Sequence, residues 1–497
     1  MASTTIYKHK SAPYDHQRKL FQRTRDMKHY GLFWEQGVGK TKPVIDTAAY
    51  LFERGEIDGL LVVAPPGVER NWMTDEIPAH MPDRVMQKST IMLWKTGGSH
   101  SKWHTAEFDR LVKADGLAIL LISYNAFMTR IGKLATWRFL RRRSCLYVLD
   151  ESDDIKTPKA KRTRSVIASA KYAPYRRIMT GTPADKPFDV YSQLRFLDQD
   201  IWRRRDMATF AAFKTHFAEW FTRAEAQALL GYDPGYDKLL RYKNLDELIV
   251  VIAEHTDRLL KDDVLDLPPK LFTKIWFDMT PKQKNLYNQL RDELEIELEN
   301  GRVVDGNLAI TRLLRLQQIT CGYMVTDADE PVVLCDKTNP RLEATVAWLE
   351  RLSHPAIVWA RFRHDVDQLM DALGPRACRY DGKLSNDDCE RSKLAFNAGE
   401  FQFFVGNPAK GARGLTLNAA KSVAYYSNTF KLTERLQSED RPHRIGQDGV
   451  DHGEHGFGVL YGDVLAVGTV DMKIVSALRG KYNIAAMLNR DKLRAWI

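Results

Sequence analysis

Gly31-Leu-Phe-Trp-Glu-Gln-Gly-Val-Gly-Lys-Thr41 is the stretch on which the reading of this chain turns. Its last five residues have the composition of a turn that wraps a nucleoside triphosphate. Gly37 and Gly39 carry no Cβ, so successive backbone N–H groups around Val38 can point into one concavity that suits phosphate oxygens. Lys40 would reach the β- and γ-phosphates, and Thr41 would offer its hydroxyl to Mg²⁺. A helix expected from about Pro43 through Phe52 would aim its positive end at the same anion. The strict pattern G-x-x-x-x-G-K-[ST] wants glycine where Trp34 stands, so the turn alone leaves open a glycine-rich helix cap. The weight falls on the motifs that follow.

Upstream, Ala12-Pro-Tyr-Asp-His-Gln-Arg18 opens a helical pattern, and the Gln17 amide carries both a donor and an acceptor for an adenine edge. Downstream, Leu60-Leu-Val-Val-Ala-Pro-Pro-Gly67 is a short β-branched run stopped by two prolines. It predicts a central parallel strand whose exit loop, Pro65–Trp72, lies at a functional rim. Leu117–Ile122 repeats the layout and ends in Ser123-Tyr124-Asn125. Cys145-Leu-Tyr-Val-Leu149 runs into Asp150-Glu151-Ser152-Asp153. An acidic pair at the tip of a buried strand is costly unless a cation sits beside it. Mg²⁺ held by Asp150, with Glu151 orienting and deprotonating an attacking water, supplies that reason. Arg177-Ile-Met-Thr-Gly-Thr-Pro-Ala184 follows, where Thr180 and Thr182 could relay the state of the γ-phosphate.

From about Phe188 to Leu260 the pattern is aromatic-rich helix with no evident strand, which predicts a helical insertion. Leu267-Pro-Pro-Lys270 is a stiff break suited to a boundary. Thr280-Pro-Lys-Gln283 reads as a helix cap, and Leu286–Leu298 and Leu308–Ile319 as amphipathic helices. Strands return at Ala356–Ala360, left by the basic loop Arg361-Phe-Arg-His364, at Phe401–Val405 before Gly411-Ala-Arg-Gly-Leu-Thr-Leu417, and at Val423–Tyr426. The second half is therefore a parallel α/β sheet without a phosphate-binding lysine turn of its own. In Gln437-Ser-Glu-Asp-Arg-Pro-His-Arg-Ile-Gly-Gln447, Arg441 and Arg444 are three apart and would project to one side of a helical turn. Two guanidinia facing a triphosphate in a neighbouring domain would act as arginine fingers. The bland alternative is a pair of surface ion pairs with Glu439 and Asp440.

Composition sets the bounds. The 497 residues fit two or three domains. An apolar fraction of 44% with 10% aromatics is globular, and the formal charge of +10 favours a polyanionic partner. Five widely spaced cysteines with no C-x-x-C pair argue against zinc and for a reducing compartment. The N-terminus, with Lys8, Lys10 and His16, shows no secretory signal, and no apolar run approaches a membrane span.

On these motifs the sequence resembles, over nearly its whole length, the Swi/Snf-type ATPases of helicase superfamily two, in a compact form like those of phage and bacteria. Gln437–Gln447 matches the family's last motif, whose D-R-x-H-R-I-G-Q ending is highly specific. Glu35–Thr41, Val63–Trp72, Asp150–Asp153, Thr180–Pro183 and Gly411–Leu417 are similar to its earlier ones, and Thr469–Leu488 to its C-terminal brace. Asp153 stands where the family mostly has His, Trp34 where it has an acidic residue, and Ala412 where it has Gly. The resemblance implies an α/β fold of two RecA-like parallel-sheet lobes with inserted helical protrusions. The expected domains are an ATP-binding lobe 1–187, a helical insertion 188–266, a linker and second protrusion 267–334, a C-terminal lobe 335–468 and a brace 469–497.

The implied cofactors are ATP and Mg²⁺, with Lys40, Asp150, Glu151, Arg441 and Arg444 catalytic. Gln17, Gly37, Val38, Gly39, Thr41 and Gly414 would complete the ATP site, and Thr41 and Asp150 would hold the metal. Pro66, Asn71, Ser123, Tyr124, Thr180, Thr182, Arg361, Arg363 and Thr416 are the expected coupling or DNA positions. The implied activity is tracking along double-stranded DNA to remodel branched DNA or displace bound protein, in recombination, replication or repair. Contacts to phosphates would make log affinity fall with log salt at a slope of about −0.9 per phosphate. The alternatives are a strand-separating helicase and a nucleotide-dependent DNA clamp with little turnover. Either way the expected place is the cytoplasm of a bacterial or phage-infected cell, or a nucleus.

Overall fold

Short apolar runs without alternation belong in a parallel sheet covered on both faces, and the chain uses them so. The computed structural model describes residues 7–95, 101–181, 183–184, 186–230, 235–299, 306–325, 330–335, 339–411 and 415–480. They form two units, Met1–Leu265 and Asp266–Ile497.

The first unit has β1 (His29–Trp34), β2 (Gly59–Ala64), β3 (Ser89–Leu93), β4 (Leu117–Ser123), β5 (Cys145–Asp150) and β6 (Tyr175–Met179). An antiparallel hairpin of β7 (Ala218–Phe221) and β8 (Lys238–Tyr242) precedes β9 (Thr256–Leu259). Outside the hairpin the strands pair in parallel, in the order β3-β4-β2-β5-β6-β1-β9. Every residue of β2, β4 and β5 is buried. Leu60, Val62 and Ala64 face α1 (Asp15–Thr24) and α2 (Thr41–Glu53), through Leu20, Phe21, Val44 and Ala48. Leu61 and Val63 face the opposite layer, through Phe108, Phe139, Val166 and Leu194. Each such Leu or Val contributes about 1.5–3 kcal/mol on burial, so the two-faced sheet is the unit's main source of stability. Its parallel register also brings Ala64 level with Ser123, and Asp150 level with Met179, at one edge.

The described part of residues 188–266, where the sequence shows no strand pattern, contains three strands. The aromatic side chains of this segment, Tyr191, Trp202, Phe213 and Phe217, join the core beneath the first sheet. β9 completes that sheet beside β1, Gly31 opposite Thr256. Thr256-Asp-Arg-Leu259 has a single strongly apolar residue, so an edge strand here leaves no periodic signal.

The second unit begins with β10 (Lys270–Phe277), followed by helices Pro281–Glu299 and Gly306–Thr320 and an antiparallel pair, β11 (Tyr323–Val325) and β12 (Pro331–Val333). Thr280 and Gln283 cap the first helix reciprocally, at 2.9 and 3.2 Å. Leu313 and Leu316 pack on Ile474 and Leu478 of helix Val470–Arg479, while Leu314 is only partly buried there. β13 (Ala356–Trp359), β14 (Ala377–Tyr380), β15 (Phe403–Gly406), β16 (Ser422–Tyr425) and β18 (Phe457–Ala466) form a parallel sheet with β10, in the order β10-β18-β16-β13-β15-β14. The short β17 (Val450–Asp451) pairs antiparallel with β18.

β10 and β18 left no strand signal, for two reasons. β10 exposes Phe272 and Trp276, so its apolar residues do not mark one face. β18 carries glycines: a Cβ at Gly458 would lie 2.4 Å from the Pro269 carbonyl oxygen, and one at Gly462 2.7 Å from Ile275. At Gly458 a side chain would meet backbone, and at Gly462 it would displace the Ile275 side chain packed over the strand. Asp463 of β18 is fully buried, yet Arg435 and Arg479 hold its carboxyl below the usual range against the opposing effect of burial.

Asp365, at the start of helix Arg363–Leu373, shows the contrary case. Burial pushes its carboxyl up to about 7, although it accepts a 2.6 Å hydrogen bond from Ser427 Oγ and feels Arg341. An unfolded aspartate titrates near about 4. The folded state therefore binds the extra proton, and this component of stability is present below about pH 4 and lost as pH rises through about 7. Asp365→Asn is expected to flatten the pH dependence of urea unfolding of the second unit between pH 5 and 8; an unchanged slope would contradict this assignment.

Candidate active site

The phosphate turn is built where β1 meets α2. Gly37 and Gly39 have φ of 85° and 77°, in the left-handed region that glycine enters without strain. α1 clamps the turn from outside: Gln17 Nε2 donates to the Gly39 carbonyl at 3.0 Å, and His16 Nε2 lies 3.0 Å from the Val38 carbonyl. Gln17 Oε1 accepts from the Tyr14 backbone N–H, so this amide, expected at an adenine, braces the turn and caps α1. Lys40 directly precedes α2, and its Nζ donates to the Trp34 carbonyl at 3.0 Å and to that of Glu35 at 3.2 Å. Thr41 is the first residue of α2 and half-buried. Trp34, in the position where the strict pattern has glycine, is buried and donates its indole N–H to Asp257 Oδ2 at 2.6 Å, fastening β9 to β1. Glu35 Oε2 accepts from the Lys261 backbone N–H at 2.8 Å on the same side.

β5 delivers the acidic pair. Asp150 Oδ2 accepts from Trp72 Nε1 at 2.9 Å, and Oδ1 from the Glu151 backbone N–H at 2.9 Å. Burial first, then the charge of Glu151, pushes the Asp150 carboxyl up to about 6; the Trp72 bond and the Lys40 charge oppose this. Glu151 adopts φ 48°, ψ 60°, a left-handed conformation that costs a non-glycine residue roughly 1–3 kcal/mol. Its carboxylate is held between Gln36 Nε2 at 3.4 Å and Thr180 Oγ at 3.3 Å. Thr180 Oγ also lies 3.4 Å from Asp153 Oδ1, so Asp153 keeps a long link to Thr180 from the position where the resemblance has His. A second link runs from Ser152 Oγ to Gln193 Oε1 at 2.7 Å and from Gln193 Nε2 to the Pro183 carbonyl at 2.5 Å.

The rim residues divide. Pro66 is exposed and Asn71 half-buried, on α3 (Val68–Asn71) and the loop before it. Ser123 caps the helix that follows β4. Tyr124 is fully buried, its hydroxyl donating to the Asp150 carbonyl at 3.1 Å, so it supports the acidic strand and offers no surface. Thr182 and Gly414 lie outside the described residues.

In the second unit Arg361 turns inward, 4.2 Å from the Phe430 ring, and burial lowers its pKa to about 10; Arg363 is exposed. The helix before the last motif spans Leu432–Glu439, so Arg441 and Arg444 do not share a helical turn. Pro442 disfavours helix in the residue before it. The two arginines converge nonetheless. Arg441 Nη1 and Arg444 Nη1 donate to the same carbonyl, Leu415, at 2.8 and 3.0 Å, and Arg444 also reaches Thr416 Oγ at 2.5 Å. Glu439 and Asp440 pair with Lys270 instead, at 3.3 and 3.0 Å. His443 Nε2 lies 2.8 Å from the Pro268 carbonyl, and the Gln447 amide donates to Ala420 and accepts from Lys421.

Trp72, Gln36 and Gln193 were not singled out in the sequence, since a lone indole or amide carries no spacing signal. Asp150, deprived of water and beside Glu151, has a raised carboxyl pKa because the surrounding protein supplies too little positive charge. A buried carboxylate short of positive charge, and a hydroxyl on the first residue of α2 beside a glycine turn, are donors of the kind that Mg²⁺ carried on a triphosphate takes, since it needs few protein ligands. Among the described residues no group of three or more His, Cys, Asp or Glu is placed to hold a metal by itself.

A model of the SNF2-related domain matches residues 17–323, and one of the helicase conserved C-terminal domain residues 340–446. The ISWI chromatin-remodeling complex ATPase CHR17 of Arabidopsis thaliana is 27% identical over 445 residues, covering 83% of this chain and 37% of that protein. The SWI/SNF-related matrix-associated actin-dependent regulator of chromatin subfamily A member 1 of Homo sapiens is 26% identical over 435 residues, with 83% and 38% covered. The chain thus matches little more than a third of the length of these relatives. The Sulfolobus solfataricus SWI2/SNF2 ATPase core in complex with dsDNA aligns over 99% of this chain and 98% of its own, at 20% identity and TM-score 0.40.

The bracing of the phosphate turn can be tested directly. Gln17→Ala removes two part-buried hydrogen bonds and should cost about 1–3 kcal/mol. It should also speed amide hydrogen exchange at Gly39 and Lys40, whereas unchanged protection there would show that the turn holds itself.

Proposed function

This chain belongs to the SNF2-related family of helicase superfamily two, and from that premise we propose that it hydrolyses ATP to track along double-stranded DNA. The observation that carries the reading is the buried Asp150–Glu151 pair at the tip of β5, with Thr180 and Gln36 on the second carboxylate. On this reading Lys40 and the amides of Gly37–Thr41 hold the β- and γ-phosphates, and Thr41 with Asp150 holds the metal. Bound Mg²⁺ supplies charge neutralisation at the phosphates. Glu151 takes the proton of the attacking water, its left-handed backbone aiming the carboxylate away from the strand. Arg441 and Arg444 are the arginine fingers, pre-aligned by the Leu415 carbonyl.

Two routes support coupling of hydrolysis to DNA: Glu151 to Thr180 to Asp153, and Ser152 through Gln193 to Pro183. Either transmits the state of the γ-phosphate to the Thr180–Pro183 loop. DNA contacts would go to backbone phosphates, from the rim at Asn71, Ser123 and Thr182, with Pro66 shaping the loop, and from Arg363 and Thr416. The work performed would be displacement of bound protein or remodelling of branched DNA, in recombination, replication or repair, wherever the host keeps its DNA.

ATP hydrolysis is to be measured with duplex, with single-stranded DNA and without DNA, followed by displacement of a third strand from a triplex and of one strand from a duplex. Duplex-stimulated turnover with triplex displacement alone is the expected result; equal displacement of duplex strands would select a strand-separating helicase. Lys40→Ala should abolish turnover and leave salt-sensitive DNA binding intact. Glu151→Gln should lower kcat by about 10²–10⁴, and Arg444→Ala by about 10³ or more.

A further inference from the structure

We propose that the groove between helices Lys161–Ala170 and Val190–Leu197 of the first unit is a second ligand site, built for a small phosphomonoester. Its volume is about 400 Å³, within the range of about 300–1,000 Å³ usual for small-molecule sites. Arg164, Lys171 and Arg195 line it, and no carboxylate does. Among the described residues none of these three cations has an acidic partner within ion-pair distance, whereas Arg162, two positions from Arg164, is paired with Asp154 at 2.6 Å. Three cations around one concavity with no acidic partner among the described residues favour an anion there, and guanidinium forks match phosphate oxygens.

Ser192 supplies the second, independent observation. It lines the groove, is fully buried, and its Oγ has no hydrogen-bond partner. A serine inside a helix can turn its hydroxyl back onto the carbonyl four residues earlier, and this one does not. A buried hydroxyl left without a partner is costly, and a phosphate oxygen in the groove would remove that cost.

The walls are tied by packing and partly apolar. Tyr191 stacks on Trp202 at 5.8 Å, and Gln199 Nε2 donates to the Ile167 carbonyl at 2.7 Å, joining the two sides of the groove. Ile167, Ala168 and Pro158 leave a surface for a flat or aliphatic group. A phosphate carrying such a group should therefore bind better than phosphate alone. None of these residues belongs to the phosphate turn, so the inference does not rest on the function proposed above.

The probe is phenyl phosphate, titrated calorimetrically into the full chain, with inorganic phosphate and phenol as controls. Saturable binding is expected, tighter than for either control, retained in Lys40→Ala and weakened at least tenfold in Arg164→Ala/Arg195→Ala. Ser192→Ala, which deletes one oxygen, should weaken it several-fold without changing the circular dichroism spectrum. Binding lost in Lys40→Ala and kept in the arginine variant would place the phosphate in the turn before α2 and overturn the proposal. So would absence of saturable binding, with or without a fall in duplex DNA affinity in the arginine variant; such a fall would make the groove part of a nucleic-acid surface.

Discussion

A parallel sheet must be covered on both faces, and this constraint shapes everything else in the molecule. Once β2, β4 and β5 are buried throughout, polar chemistry can emerge only where strands end. The register brings the ends of β1, β2, β4, β5 and β6 to one edge, and the phosphate turn, the acidic pair and the Thr180 segment all leave the sheet there. The acidic pair is the extreme case. Asp150 is the last residue of β5, dry enough for its carboxyl to rise to about 6, and Trp72 comes from the exit of β2 to meet it.

The site carries strain as well as charge. Glu151 is held left-handed, and Gln36, from the phosphate turn, and Thr180, from the exit of β6, both reach its carboxylate. Three strand ends thus meet on one side chain. Such over-determination is what lets a strained residue persist, and it makes the same carboxylate sensitive to movement of any of the three.

Several residues of the last motif of the second unit hold the fold together. Asp440 pairs with Lys270, His443 meets the Pro268 carbonyl, and Gln447 bridges Lys421 and Ala420. These residues tie the chain after Glu439 to the segment around β10 and to the loop before β16. Arg441 and Arg444 are left together at Leu415, in a turn where a helix was expected. A spacing of three residues suggested a shared side for the wrong reason, since a common carbonyl acceptor brings the arginines together.

What the sequence determined by itself was the fold class, the buried central strands and the order of the motifs, because these depend on short-range patterns: apolar runs, glycines and paired acids at fixed spacing. What only tertiary structure decided was which groups meet. Trp34 in a glycine position makes sense once β9 lies beside β1 and offers Asp257. Tyr124 and Arg361, legible as rim residues, turn inward because Asp150 and Phe430 wait there. β10 and β18 pair along their whole length, with Gly458 leaving room for the Pro269 carbonyl and Gly462 for the Ile275 side chain, and no periodicity records that. Hydrogen bonds and ion pairs between residues far apart in the chain have no local signature; their energy is set by burial and geometry, which exist only after folding.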